Sequence, residues 1–223
     1  MRLRRKQHEE DLIADSEATD PVVEDSPDPR GLGPWDASEK EPGDDPTYIN
    51  LGSLIVKGHP ELSLQLPTDG DSDVIGSAVL LTEDSGLELR AFASARSGGL
   101  WAEVRADLID EVDRLGGHYD VVEGAFGTEL QIRVPVPESE DLFQPSRIVG
   151  VEGPRWLLRA TFLGQAGLEP SDEGVLIDAF RDTIVVRGGE PMAPREPLVL
   201  TLPADAVVIP EGEEIDQSGA TDA

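Results

Sequence analysis

The chain has 223 residues, with 46 Asp and Glu against 18 Lys and Arg, a formal net charge of −28 at pH 7, and no cysteine. This excludes disulfides, thiolate metal sites and cysteine nucleophiles, and it opposes duplex nucleic acid, whose binders gain affinity by releasing counterions from a basic face. The three histidines, His8, His59 and His118, stand at no metal-ligand spacing, so no metal and no other cofactor is expected.

Residues 1–46 are rich in Asp, Glu, Pro, Ser and Gly. Such a segment cannot bury enough apolar surface to offset the entropy of ordering, and it reads as a disordered acidic leader. One island interrupts it: "GPWD", Gly33 to Asp36, whose Trp35 is expected to dock back on the domain because an indole is costly to leave in water. The basic opening "MRLRRK" is followed by acids where a signal peptide needs an apolar core, and no stretch approaches the roughly 18 apolar residues of a membrane span. The expected location is the cytoplasm, with no membrane partner.

Residues 47–205 read as one domain, long enough to bury about 70% of the surface its unfolded chain exposes. "YINLGSLIV" and "ELSLQL" are short strand candidates separated by "KGHP". "DGDSD", Asp69 to Asp73, has acids at calcium-loop spacing but neither flanking helices nor a distal glutamate, and reads as a solvated turn. "DVIGSAVLLT" and "GLELRAFASA" flank "EDSG", a hairpin turn.

Next comes "ARSGGLWAEVRADLIDEVDRLGG". Trp101, Val104, Leu108, Val112 and Leu115, with Ile109 beside them, recur at spacings of three and four, the stripe of an amphipathic helix lying on a sheet. Gly116 and Gly117 supply its stop. The free N–H groups at its start suit an anion, which makes Arg96, Ser97, Gly98 and Gly99 a candidate anion site. A nucleotide fingerprint needs a third glycine and a later acid, or a Lys-Ser/Thr pair, and neither is present. Ser97 is expected to cap the helix without a ligand.

"HYDVVEG", "GTELQIRVPV", "SRIVGVEG" and "RWLLRATFLG" follow as strands, the last two about a Gly-Pro turn. "SDEGVLIDAFRDT" reads as a second helix with Ser171 as N-cap, and "IVV" and "LVLTL" finish the core before a flexible acidic tail, residues 206–223. Hairpins grouped around helices, without regular βα alternation, predict an α+β fold: a mainly antiparallel sheet with two amphipathic helices.

Alternation within the strands assigns faces. Arg155 and Arg159 oppose Trp156, Leu158, Ala160 and Phe162; Arg133 opposes Leu130, Ile132 and Val134; Arg90 shares a face with Glu88 and Phe92. If these strands are neighbours, Arg90, Arg133, Arg155 and Arg159 form a candidate binding face. Pairing with Glu88 and Glu129 competes with that role. The planar guanidinium fork suits carboxylates, so an acidic peptide is the ligand such a face would take. No catalytic residue stands out. Asp107, Glu111 and Asp178 lie on helix faces that solvation explains, and no serine shares a motif with a histidine base.

Several stretches together carry a resemblance: "GPWD", "YINLGSL", "LRAFASARSGGLWAEVRADL", "GAFGTELQIRVPV", "GVEGPRWLLRATFLG" and "FRDTIVVRGGEPMAPREPLVLTLP". Over residues 33–203 the chain resembles an uncharacterised actinobacterial family, number 3710 among the domains of unknown function. The resemblance implies cytoplasmic proteins with acidic leaders and no established activity, and it supplies no catalytic residue. A weaker similarity is to secretion-chaperone-like domains, which also place amphipathic helices on an antiparallel sheet.

The functional expectation is a non-enzymatic protein-interaction or chaperone-like adaptor domain whose partner is another protein. The alternative is a binder of nucleotide or single-stranded nucleic acid through the arginine face with Trp101 or Trp156. A third reading is an enzyme whose site is assembled from dispersed residues.

Overall fold

A computed structural model describes residues 31–68, 74–137, 139 and 142–203. The leader up to residue 30, the tail from residue 204 and the turn Asp69 to Asp73 lie outside the described residues.

The described residues begin with β1 (Trp35–Asp36), β2 (Tyr48–Asn50), β3 (Leu54–Lys57), β4 (Ser63–Gln65), β5 (Ala78–Leu81) and β6 (Ser85–Ala93). Helix α1 (Leu100–Arg114) leads into β7 (His118–Gly124), β8 (Gly127–Pro135), β9 (Phe143–Gly153) and β10 (Trp156–Gly164). A single turn, α2 (Gln165–Leu168), then α3 (Val175–Asp182) and β11 (Ile184–Val185), complete it.

The larger sheet is antiparallel and runs β4-β5-β6-β10-β9-β8-β7; the smaller runs β1-β11-β3-β2, with β1 and β11 parallel. The architecture is α+β with a mainly antiparallel sheet, as the grouped hairpins imply.

The period of two decides which face is buried. Leu87, Leu89, Ala91 and Ala93 of β6 meet Trp156, Leu158, Ala160 and Phe162 of β10 on one side, all buried. Against them pack the smaller sheet and α3, whose Phe180 meets Phe126 edge-on at 4.9 Å and Phe162 at 6.2 Å between ring centroids. On the other side α1 packs over β7, β8 and β9.

Four local expectations are corrected. "YINLGSLIV" is a hairpin rather than one strand. Gly52, at φ +80°, turns the chain where a side chain would be strained, and the Asn50 side chain accepts its N–H at 2.8 Å. "LVLTL" adds no regular strand: Leu198 donates to Ala91, Leu200 to Ile75 and Thr201 to Leu51, each at 2.9 Å, so the segment stitches the two sheets together.

The second helix starts at Val175, and Gly174 holds its N-cap position without a side-chain bond. The Ser171 hydroxyl instead accepts the Glu173 N–H at 3.1 Å in the loop before it.

The fourth concerns residues 31–46, which composition assigns to the leader. Trp35 donates to the Thr183 carbonyl at 2.9 Å and Ala37 to that of Val185 at 3.0 Å, so the "GPWD" island docks on the domain with Trp35–Asp36 as a strand of the smaller sheet. Asp36 goes deeper than Trp35: it is 9% exposed and accepts the indole N–H of fully buried Trp156 at 2.7 Å. The Trp35 ring is half-buried, 5.4 Å from the Lys40 ammonium.

Candidate functional site

The start of α1 already holds an anion. Glu152, near the end of β9, accepts the N–H of Gly99 at 2.9 Å on one carboxylate oxygen, and those of Leu100 at 2.6 Å and Trp101 at 3.2 Å on the other. Arg96, Ser97, Gly98 and Gly99 are exposed, and Gly99 rather than Ser97 occupies the N-cap position. The cap is a carboxylate brought in from the sheet, where charge and dipole favour it.

Trp101 fixes the helix on the sheet. Its ring lies where a Cβ on Gly150 would come within 2.1 Å, and its indole N–H donates to the Thr128 carbonyl at 2.7 Å. Leu100, Trp101, Leu130, Ile148 and Leu157 form a buried cluster, with Val104, Leu108 and Ile109 partly buried against it. Leu115, the last residue of the expected stripe, is 48% exposed.

Of the four arginines, the structure brings two together. Arg90 and Arg159 are direct cross-strand partners on the face that α1 shares. Glu88 lies 2.9 Å from Arg90 and 3.7 Å from Arg159, so one carboxylate serves two guanidinium groups. The Arg159 guanidinium lies 5.8 Å from the centre of the Phe92 ring, and its Nε is buried without an acceptor. Burial pulls its pKa below the usual arginine range; the Glu88 charge opposes this and the Arg90 charge adds to it.

Arg133 is elsewhere. Leu130 of β8 faces Ile148 of β9, and Gly150 faces Arg159, which puts Arg133 on the side opposite to Arg159. It lies 3.7 Å from Asp120 and is exposed. Arg155 sits in the β9–β10 turn at φ +63° and donates to the Gly188 carbonyl at 3.1 Å.

Two charge clusters escaped the sequence reading. Arg147 and Glu129, 3% and 1% exposed, meet on the core side of the larger sheet. The guanidinium donates twice to Glu129, at 2.7 and 3.0 Å, and also to Asp172 and the Ser171 carbonyl. Burial alone would lower the Arg147 pKa, but Glu129 and Asp172 raise it. The one clue was an arginine inside the otherwise apolar run "SRIVGV".

The second cluster uses two of the chain's three lysines. Asp182, ending α3, binds Lys40 at 2.7 Å and Lys57 at 3.1 Å, with the Tyr48 ring 5.7 and 5.6 Å from the two ammonium groups. It borders an open groove of about 680 Å³ between α3 and the loop after β3, lined by Lys57, His59, Asp178 and Arg181 among others. Nothing in residue spacing pointed to it, because its members come from three distant segments.

Among the described residues, no group of three His, Asp or Glu is arranged to hold a metal, and no helix is long and apolar enough to cross a membrane. The described residues instead hold a pair of arginines sharing one carboxylate on a sheet face, and a mixed-charge groove beside α3.

Over residues 33–208 the chain matches the family described as "Protein of unknown function (DUF3710)", and it belongs to that family. No curated protein matches it. Among solved structures, a 1.50 Å crystal structure from Bacteroides thetaiotaomicron VPI-5482 is similar at 15% identity and a TM-score of 0.35, over 62% of this chain and 47% of that one. The chain thus spans about half the length of that protein.

Proposed function

We propose that this member of the DUF3710 family is a non-enzymatic binding module, adaptor or chaperone-like in type, that takes an acidic segment of a protein partner on the open half of its larger sheet. Uneven coverage of that sheet is the observation that carries the reading. On β5, β6 and β10 the core-side residues are buried except Ser85 and Gly164, which end β6 and β10 at the edge of the core. On the other side Val79, Leu81, Arg90, Arg159, Thr161 and Leu163 remain half-buried. At the centre of this uncovered area Arg90 and Arg159 share one carboxylate, leaving one positive charge uncompensated on a strongly acidic protein. A guanidinium pair that shares one carboxylate suits a second one, and the flanking aliphatic and threonine side chains suit an extended peptide.

The test is a photo-reactive residue in place of Thr161, with Val122 on the far side of the sheet as control. The reading requires one protein to be captured repeatedly from position 161 and not from 122. Arg90→Gln with Arg159→Gln should abolish that capture while the circular dichroism stays unchanged. Capture that ignores the double substitution would sink the proposal. A nucleotide or single-stranded nucleic acid is the second reading, favoured by the Arg159 guanidinium over the Phe92 ring, a cation and a stacking surface in one place. Anisotropy titrations with a labelled oligonucleotide and a labelled acidic peptide separate the two.

A further inference from the structure

The two ends of the larger sheet are built differently. At one end β4 is three residues long, and Pro67 follows it within two residues. At the other end β7 has seven residues, none of them Pro or Lys, and six are exposed. Short edge strands, prolines and charged side chains, lysine above all, are the usual protections of a sheet edge, because an unprotected strand offers a row of unpaired N–H and C=O groups to another strand; β7 carries only the acids Asp120 and Glu123. Among the described residues nothing pairs with the outer side of β7.

That edge also carries apolar surface. Tyr119 faces Ile132 and Val121 faces Leu130 across the β7–β8 ladder, so both lie on the side that α1 covers. Yet Tyr119 is 38% exposed, Val121 50%, and Leu115 at the end of α1 48%. The helix stops short of the edge and leaves a strip of three large apolar side chains beside free backbone.

We infer that two copies of this chain associate through β7, antiparallel, about a two-fold axis at Val121. The occupant must present a strand with its own free edge, and β7 is complementary to itself in this register. Val121 faces its own copy, Tyr119 faces Glu123 of the second copy, Asp120 faces Val122, and His118 faces Gly124. No acid stands directly opposite an acid, and Asp120 already has Arg133 at 3.7 Å. Such an interface is isologous and closed, so the assembly stops at two. The blunted β4 edge prevents continuation from the other end. The net charge of −28 on each copy opposes the approach. That repulsion is long-range and falls away once the screening length shortens to about 8 Å near physiological salt, while backbone pairing and apolar contact are insensitive to salt.

The experiment is light scattering on the full chain from about 1 to about 200 µM, the span in which interfaces of modest area dissociate. The mass should rise from one chain to two across this range, with the midpoint moving to lower protein concentration as salt is raised. Val121→Glu and Val121→Lys each place a like charge opposite itself, and both should remain monomeric with unchanged circular dichroism. An equimolar mixture of the two should recover the dimer, an outcome specific to this register. A wild type that is monomeric throughout, or a dimer indifferent to both substitutions, overturns the inference.

Discussion

The carboxylate of Glu152 accepts the backbone N–H of Leu100 at 2.6 Å across 52 residues of chain, and so joins the end of β9 to the start of α1. The cap is a tertiary contact, and removing it should loosen the helix and its docking together. Glu152→Ala should cost about 1–2 kcal/mol, as lost N-caps do. Glu152→Gln keeps an acceptor and gives up only the charge at the helix start, so its cost should be about 0.3–1 kcal/mol. Urea unfolding followed by tryptophan fluorescence checks both values. Equal costs would mean that the charge supplies the whole effect.

The Arg147–Glu129 pair is nearly sealed from solvent, which makes the consequences of single and double substitution differ. Arg147→Met strands a buried carboxylate and should destabilise by about 3–5 kcal/mol. Adding Glu129→Leu removes that stranded charge and should recover much of the loss. Asp172 is half exposed, and Asp172→Asn should cost about 1 kcal/mol or less. A double variant as unstable as the single one would show that packing, not the unpaired charge, dominates.

Asp182 makes stability depend on pH at the acid end. Burial alone would raise its carboxyl, but the hydrogen bonds and charges of Lys40 and Lys57 outweigh it and hold the pKa below the usual aspartate range. A folded pKa below the unfolded value of about 3.9 contributes stability that is present above that value and lost as pH falls through the folded one. The gap between wild type and Asp182→Asn should be constant from neutral pH down to about 5 and close below about 4. Lys57, raised by its bond to Asp182, and Lys40, raised by the same carboxylate against its own burial, behave in mirror image. Their contribution is complete below about 10.4 and lost as pH rises through the folded values. Urea midpoints measured across pH check both limbs, and a gap unchanged at pH 3 would contradict the acid one.

The bond from Trp156 to Asp36 makes β1 a working part of the fold. Asp36→Ala leaves a fully buried indole N–H without its acceptor and should cost about 1–3 kcal/mol. Deleting residues 1–46 removes the strand as well and should cost more. Thermal unfolding of the two variants beside the wild type decides the matter. A chain starting at residue 47 that melts like the wild type would return this segment to the leader.

Much of the architecture was legible one segment at a time. The alternation in "GLELRAFAS" and "RWLLRATFL" marked β6 and β10, because apolar residues at a period of two must all point to one face. The stripe from Trp101 to Val112 marked α1 for the matching helical reason, and "EDSG" marked a hairpin. Composition hid β1, since two strand residues among acids and prolines leave little trace in a local average.

By itself, then, the sequence determined the long strands and α1 and which side of each is apolar, since both follow from local periodicity. It did not determine how those sides align. A shift of one residue between neighbouring strands exchanges their faces, and register is settled by backbone pairing and core packing over the whole sheet. That is why Arg90 and Arg159 meet while Arg133, of the same local parity class, lies on the far side. The same holds for Glu152 reaching α1, for Arg147 finding Glu129, and for Lys40 and Lys57 sharing Asp182. Each joins groups that only the closed tertiary structure brings within bonding distance.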